Sequence, residues 1–398
     1  MNFSQRLPSV LSENPLALAV AARRAAGQPV LDLTQVNPTK AGLPYPFDEI
    51  SAALAEGARS AYEPETRGLL AARQAVANYY QAQHRAAVDA AQVQLTASTS
   101  EAYGFLFKLL GEPGAEVLAP RPSYPLIEYL AALEGWRTRS FALMAPSAPN
   151  SVWEIDRAAL QASVTRATRA IAIIHPHNPT GWMVRSADAH FLLELCERHG
   201  LALIVDEVFL DYTPPMKPPV ESFAGCGPSA LTFTLGGLSK SCAMPQLKLG
   251  WIHVSGPETE VREAQTRLDF IADAYLSVGT PVQAALGQLF QVGAKSRAQV
   301  QARLAENYAT LAGLNWPEGF AVLPYTAGWS ALICRPTSPD EETLAVKILE
   351  RAGVLAHPGY FFDFDASGPG YHVVSLLPEP GEFRTGAAAL CEWLPKLV

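Results

Sequence analysis

Short runs of consecutive apolar residues recur along the first 255 positions, and a stretch with helical spacing follows most of them. Runs that are apolar at consecutive positions are typical of strands buried on both faces of a parallel sheet. The runs are 93–97, 115–120, 170–176, 201–207, 230–236 and 247–254. This alternation of strand and helix predicts a three-layer α/β/α domain with right-handed crossovers.

The pattern changes after residue 280, where Thr280-Pro281 begins a long helical stretch. Its apolar positions fall on one stripe and are Val300, Leu304, Tyr308 and Leu311. Two further apolar runs, 331–336 and 371–377, predict strands, and 381–394 predicts an amphipathic final helix. The helices and strands predicted after residue 280 indicate a second, smaller α+β unit.

The domain organisation predicted from these patterns is discontinuous. We expect a large domain over residues 47–285. The smaller domain is expected to combine residues 1–46 with residues 286–398.

Composition excludes several classes of protein. Of the 398 residues, 49% are apolar and only 17% are charged, so the chain can bury a substantial core and is not disordered. The net charge of −8 provides no basic field for nucleic acid or an anionic membrane. The cysteines are odd in number and scattered, which predicts reduced thiols, with no disulfide framework and no zinc site. No signal peptide or membrane span is apparent, and we expect a cytoplasmic protein.

Two segments at strand ends carry hydroxyl and aromatic side chains. Residues 95–102 run from a strand into a helix, and the hydroxyls of Ser98, Thr99 and Ser100 beside free backbone N–H groups could bind an anion. The alternative for this segment is a helix cap, in which Ser98 pairs with Glu101. Tyr124, between prolines after the next strand, could stack on a planar ring or pack against the core.

Three later segments carry an amide, a carboxylate and an amine. Asn178 follows a buried strand at the edge where ligands of α/β proteins bind, although Asn-Pro-Thr-Gly is also a common turn. Asp206 ends an apolar strand and needs a cationic partner, either a protonated ring nitrogen or a structural arginine. Lys240 follows a further strand, and lysine forms Schiff bases with carbonyl cofactors.

In this order and spacing, the segments resemble the class I/II aminotransferases, which are fold-type-I enzymes that use pyridoxal 5′-phosphate (PLP). Residues 62–68 and 353–359 extend the resemblance, which runs from about residue 30 to the end of the chain. It implies the fold of the aspartate aminotransferase-like PLP-dependent transferases, with an α/β/α major domain that binds the cofactor and a smaller α+β domain.

The resemblance also implies roles for individual residues. Lys240 would form a Schiff base with PLP and then move the substrate proton. Asp206 would pair with the pyridinium nitrogen, Asn178 would bond the 3-oxygen, and Tyr124 would stack on the ring. The phosphate would be held by Ser98, Thr99, Ser100, Ser239 and Lys248. Tyr62 would reach the phosphate in a neighbouring subunit, which implies a homodimer with shared active sites.

Four positions depart from the family pattern. Phe209 stands where a tyrosine usually bonds the 3-oxygen, and Tyr212 is poorly spaced to replace it. Gly237 replaces a usual serine, and Lys248 replaces a usual arginine, which removes bidentate geometry at the phosphate. Val373 stands where an arginine usually holds the substrate α-carboxylate.

The substitution at Val373 leaves the carboxylate without its usual partner. Other cations that could replace it are Lys40, Arg67, Arg335 and Arg384, each of which could equally form a surface ion pair. His372 is adjacent in sequence, but alternation along a strand predicts that it faces away from Val373.

Three functions remain compatible with these residues. The first is a PLP-dependent aminotransferase that moves an amino group between an amino donor and a 2-oxo acid, with atypical substrate recognition. The second is a PLP-dependent lyase of the same fold, such as a carbon–sulfur β-lyase or a decarboxylase. The third is a PLP-binding protein with a non-enzymatic role.

Overall fold

A computed structural model describes residues 3–8, 14–146, 151–214, 221–336 and 340–398. The strands are β1 (Leu31–Asp32), β2 (Val93–Thr96), β3 (Glu116–Arg121), β4 (Arg137–Met144), β5 (Glu154–Ile155), β6 (Thr168–Ile174), β7 (Ala202–Asp206), β8 (Thr232–Gly237), β9 (Gly250–Ser255), β10 (Ala321–Val322), β11 (Ser330–Arg335), β12 (Val354–Leu355), β13 (His357–Pro358) and β14 (Gly370–Ser375). The α-helices are α1 (Pro15–Ala25), α2 (Phe47–Gly57), α3 (Leu70–His84), α4 (Thr99–Leu110), α5 (Leu126–Leu133), α6 (Arg157–Ser163), α7 (Ser186–His199), α8 (Leu238–Ser241), α9 (Glu258–Asp273), α10 (Thr280–Ala284), α11 (Leu286–Ala312), α12 (Glu341–Ala352) and α13 (Pro380–Leu397). Single 3₁₀ turns lie at Pro38–Lys40, Ala90–Gln92, Phe223–Gly225, Pro245–Leu247 and Gly359–Phe362.

The large sheet has the strand order β2-β9-β8-β7-β6-β3-β4-β5. Each of the six apolar runs in the first 255 residues forms a strand of this sheet, as the pattern predicts. The sheet is parallel from β8 through β4, and it is antiparallel where β9 pairs with β8 and β2 and where β5 pairs with β4. The parallel arrangement that the apolar runs indicate therefore holds for the centre of the sheet, while the run 247–254 forms an antiparallel strand. The Leu238 N–H, just after β8, donates to the Leu249 carbonyl, just before β9, at 3.0 Å. The chain therefore turns back at the end of β8, and β9 runs antiparallel to it.

The strands that precede the candidate site residues end at one edge of the sheet. β6, β7 and β8 run parallel, and β2 has the same direction because two antiparallel pairings separate it from β8. All residues of β7 are buried, including Asp206 at its end. The loops that connect the strands to the crossover helices begin at this edge, and α/β proteins bind their ligands there.

The C-terminal part forms a separate antiparallel sheet, with the order β10-β11-β14-β13. The N-terminal segment joins this part, since β1 pairs in parallel with β12. In α11, the predicted stripe faces inward at Val300, Leu304 and Leu311, with Tyr308 partly buried. The boundaries at 46/47 and 285/286 stay a prediction.

Within the described ranges, the helices are all too short or too polar to cross a bilayer.

Candidate functional site

A pocket of about 480 Å³ opens where the carboxyl edge of the large sheet meets the C-terminal sheet. Residues from both parts of the chain line it. The predicted site residues in its lining are Thr99, Tyr124, Asn178, Asp206, Ser239 and Lys240. Residues far apart in sequence therefore meet in one cavity, because each follows a strand that ends at the same edge.

Four other predicted site residues lie outside the lining of this pocket. Ser98 caps α4, with its hydroxyl accepting from the Glu101 N–H at 3.2 Å, and the Glu101 carboxylate accepts from the Ala97 N–H at 2.7 Å. The capping alternative is therefore realised at Ser98. Ser100 lies in the first turn of α4.

Lys248 and Tyr62 also lie apart from the Lys240 pocket. Lys248 is exposed and has a left-handed backbone with φ of 50°. Tyr62 is 72% exposed and lines a different cavity, beside Leu276 and Val278.

Asp206 lies at the floor of the pocket and is only 5% exposed. One carboxylate oxygen accepts from the Val208 N–H at 3.1 Å. Burial raises the pKa of Asp206 to about 7, although the Val208 N–H and the nearby Tyr103 and Lys240 side chains lower it. A cation placed against this carboxylate would favour its charged form.

Tyr103 is a functional candidate that the sequence did not indicate. It lies on the buried face of α4, where an aromatic residue is expected to be part of the core. Burial and the neighbouring Asp206 carboxylate raise the pKa of Tyr103 well above its ordinary value. Its hydroxyl lies near that carboxylate but does not meet hydrogen-bond geometry with any described residue. The phenol is therefore a dipole beside Asp206 that is not committed elsewhere.

Lys240 is in α8, a single turn that directly follows β8. Its Nζ lies 4.4 Å from the centroid of the Trp329 ring and 5.7 Å from that of Phe209. Burial lowers the pKa of Lys240 to about 8, and Asp206 opposes this effect. The uncharged amine, which is the form that attacks a carbonyl, is therefore more accessible near neutral pH for Lys240 than for an exposed lysine.

The backbone around Lys240 is held from below by two buried side chains. The Tyr212 hydroxyl donates to the Lys240 carbonyl at 2.6 Å, and Arg297 donates to the Ser241 carbonyl at 3.1 Å. Tyr212 is therefore engaged by the backbone, and it does not line the pocket beside Phe209. The phenol that is missing at position 209 has no substitute from Tyr212.

Tyr124 and Asn178 are adjacent, because the Tyr124 N–H donates to the Asn178 carbonyl at 3.3 Å. The Tyr124 ring is 39% exposed and faces the rings of Phe361 and Phe362, with centroids 6.2 and 6.3 Å away. Aromatic rings from the large sheet and from the C-terminal part therefore lie next to each other in the lining of the pocket.

Close backbone packing fixes the start of α4 against the sheet. A Cβ on Gly250 would lie 3.0 Å from the Ser98 carbonyl carbon and 3.2 Å from the Thr99 nitrogen. At Gly237, where the family usually has serine, a Cβ would lie 3.2 Å from the Leu249 carbonyl oxygen. Glycine at position 250 lets the start of α4 approach the sheet closely, and glycine at position 237 lets the backbone at Leu249 and Gly250 approach the end of β8.

No described candidate for the missing arginine lines the pocket. Val373 does line it, whereas His372 faces away and its Nδ1 accepts from Arg335 Nε at 3.2 Å, as the alternation predicts. Arg335 is fully buried and pairs with Glu341. Arg67 makes two contacts of 2.6 Å with Asp269. Lys40 and Arg384 are exposed on a 3₁₀ turn and on α13.

Other lining residues come from the C-terminal part, and the sequence patterns assigned them no role in the site. Trp329 precedes β11, and its indole nitrogen is buried without a hydrogen-bond partner among the described residues. His357 lies on β13, followed by Phe361 and Phe362 in the next turn. The aromatic pair after Pro358-Gly359 was the only available signal in the sequence.

Comparison with known proteins was made by sequence and by structure. The family model of aminotransferase class I and II matches residues 28–389. The probable aminotransferase TAT1 of Arabidopsis thaliana is 33% identical over 244 residues, which are 59% of this chain and 52% of that protein. The S-alkyl-thiohydroximate lyase SUR1 of the same plant is 30% identical over 255 residues, 63% and 53% of the two chains. The chain thus spans about half the length of the curated relatives that it matches.

Among solved structures, a single mutant of Thermus thermophilus aspartate aminotransferase superposes with a TM-score of 0.81. The match covers 98% of this chain and 99% of the other, at 20% identity. It confirms the aspartate aminotransferase-like fold expected from the resemblance. The family model covers nearly the whole chain, and the chain therefore belongs to the class I and II aminotransferase family, whose cofactor is pyridoxal 5′-phosphate.

Proposed function

We propose that this protein is a PLP-dependent aminotransferase that transfers an amino group between an amino donor and an oxo acceptor. The observation that carries the proposal is the meeting of Lys240 and Asp206 in one buried pocket, at the sheet edge where the family binds its cofactor. The free thiols of the cysteines favour the cytoplasm as its compartment.

The residues present fit PLP. A buried carboxylate at one end of the pocket suits a protonated ring nitrogen, and an amine of lowered pKa suits an aldehyde. The Tyr103 hydroxyl is buried beside Asp206 and makes no hydrogen bond of normal geometry to a described residue, so it is a buried polar atom that the described residues leave unsatisfied. When bound, PLP supplies an aldehyde that links to amines and a ring that accepts electrons from the amine-bearing carbon.

Six of the lining residues would hold the cofactor or act beside it. Lys240 would link to PLP through its Nζ, and the same atom would take or return a proton. Asp206 would orient the ring, Tyr124 would stack on it, Asn178 would bond its 3-oxygen, and Thr99 and Ser239 would contact the phosphate. Ser98, Ser100 and Lys248 do not line the pocket. Ser98 and Ser100, at the start of α4, would contribute backbone N–H groups, and Lys248 would contribute positive charge.

A lyase is the second candidate, and the similarity to SUR1 supports it. Aminotransferases and PLP-dependent lyases share the Lys240 linkage and differ in which bond of the substrate breaks. The geometry of the pocket does not separate them, but their products do.

A half-reaction screen tests the proposed function. The PLP form is mixed with single amino donors and no acceptor, and absorbance follows conversion to pyridoxamine phosphate. We expect one equivalent of pyridoxamine phosphate and one of carbonyl product per site. Release of ammonia with continued turnover from one substrate would identify a lyase, and PLP binding without conversion of any donor would contradict both.

We also propose a homodimer in which Tyr62 serves the neighbouring active site. Tyr62 is 72% exposed and lies outside the Lys240 pocket of its own chain. Exposed apolar side chains on and after α9, Phe270, Tyr275 and Leu276, provide further surface for a partner copy.

Mixing two inactive variants tests this arrangement. Tyr62→Ala and Lys240→Ala dimers are expected to be impaired separately. In mixed dimers one site keeps Lys240 from one chain and Tyr62 from the other, so mixing is expected to restore up to half of the wild-type activity per mixed dimer. Absence of restoration, with mixed dimers verified by mass spectrometry, would contradict a shared site.

A further inference from the structure

The wall of the Lys240 pocket that contains Val373 carries no positive charge. Among the described residues that line the pocket, Lys240 is the only cation, and the proposed function commits its amine to the cofactor. The four alternative cations lie elsewhere, two of them in ion pairs with Asp269 and Glu341. A carboxylate placed at this wall would lose its hydration without gaining a countercharge.

His357 stands beside Val373 on this wall. The two residues are register partners in the antiparallel pair of β13 and β14, and both line the pocket. In an antiparallel pair, directly opposite side chains lie on the same face. The imidazole of His357 is therefore the nearest polar side chain that β13 offers to a substrate group placed at Val373.

The His357 ring is held in place but its nitrogens are not engaged. It stacks on Phe361, with ring centroids 4.6 Å apart and planes 14° from parallel. The Phe362 ring lies nearly perpendicular to the His357 ring. Its side chain makes no hydrogen bond to any described residue. Burial lowers the pKa of His357 to about 4, against the opposing influence of Asp32, so the ring is neutral at physiological pH.

We propose that His357 and Val373 determine substrate specificity by presenting an uncharged hydrogen-bonding wall, which selects amines with a neutral polar group where an amino acid has its α-carboxylate. The inference rests on the proposed function and narrows it. A neutral imidazole has one N–H donor and one acceptor nitrogen, which match a hydroxyl or a carboxamide. The acceptor binds at the same wall, so it is an aldehyde or ketone in place of the 2-oxo acid expected from the sequence.

The other lining residues indicate the rest of the substrate. The pocket is lined by the aromatic rings of Tyr124, Phe209, Trp329, Phe361 and Phe362, by aliphatic side chains, and by the small hydroxyl side chains of Thr34, Ser330 and Ser375. Such walls bind an apolar or aromatic substituent. The substrate class is therefore a primary amine with an apolar or aromatic arm and an uncharged hydroxyl or amide next to the amine-bearing carbon.

A matched series of four amines tests the inference. Phenylalaninol, phenylalaninamide, phenethylamine and phenylalanine share the benzyl arm and differ only in the group that faces the wall. Each is mixed with the PLP form, and the reaction consumes one amine and one water and yields one carbonyl compound and one pyridoxamine phosphate. We expect the alcohol and the amide to react at least about 10-fold faster than phenylalanine, at equal concentration. Equal or faster reaction of phenylalanine would overturn the inference.

Two substitutions separate the roles of the wall residues. His357→Leu is expected to lower the ratio of the phenylalaninol rate to the phenethylamine rate to about one, and His357→Asn is expected to recover part of that ratio. Val373→Arg is expected to raise the rate with phenylalanine. The PLP absorbance band checks that each variant retains its cofactor.

Failure of this inference and failure of the proposed function are distinguishable. If phenylalanine or another amino acid converts the cofactor and the neutral amines do not, the protein is an aminotransferase and the inference about the wall is wrong. If no amine converts the bound cofactor, the proposed function is wrong and the inference falls with it.

Discussion

Replacement of Lys240 by alanine is expected to lower multiple turnover by about 10⁴-fold or more, because the proposed function gives this one amine both the cofactor linkage and the proton transfer. Among the described lining residues it is the only amine. Its pKa of about 8 provides the uncharged form needed for attack on an aldehyde. Steady-state assays with a donor and acceptor found in the half-reaction screen measure the loss.

Lys240→Arg separates the chemistry of the amine from its charge. Arginine keeps the positive charge near Asp206, but its guanidinium does not lose a proton in proteins, so this variant is expected to be as inactive as Lys240→Ala. Lys295→Ala is the control, since Lys295 is on the surface of α11 and pairs with Glu49. Multiple turnover by either Lys240 variant would refute the assigned role.

The sequence predicted most of the large sheet because its strands are unusually apolar. β6 is apolar without interruption from Ala170 to Ile174, and β7 has no polar residue before Asp206. β4 was missed for the opposite reason, since Arg137–Met144 begins with four polar residues and five of its eight residues are exposed. A strand at the side of the sheet, with one face in solvent, has no continuous apolar run to detect.

The site was predictable where chemistry follows a strand end. Asn178, Asp206 and Lys240 each lie just beyond a buried strand of one parallel block, so topology alone brings them together. His357 and Trp329 belong to the other sheet, and their contact with the pocket depends on packing between sheets that no local pattern encodes. Similarly, the pairing of the buried Arg335 side chain with the partly exposed Glu341 removes a cation that the sequence leaves available.

Replacement of Asp206 by asparagine is expected to have the second largest effect on activity. The amide has nearly the same shape and can still accept the Val208 N–H, but it carries no charge for a protonated ring nitrogen. Loss of one member of a buried charge pair is worth about 2–5 kcal/mol, so we expect catalytic efficiency to fall by about 10²-fold or more. Efficiency with the best donor measures this, and Asp269→Asn, which removes a partly exposed carboxylate paired with Arg67, is the control.

The same substitution is expected to make the cofactor-free protein more stable at neutral pH. In the folded chain the pKa of Asp206 is about 7, above its ordinary value of 3.8, because burial disfavours the carboxylate. Between about pH 4 and pH 7 the unfolded chain binds fewer protons at this residue than the folded chain, so its contribution to stability is lost as the pH rises. The amide of the Asp206→Asn variant cannot titrate. The free energy of unfolding of the variant should therefore exceed that of the wild type by more at pH 8 than at pH 4, and the two excesses should differ by on the order of a few kcal/mol. Urea unfolding of both apoproteins at the two pH values measures it. An equal difference at both would show that Asp206 is not held at a raised pKa, and a loss of stability at pH 8 would mean that its charge supports the fold and not only the cofactor.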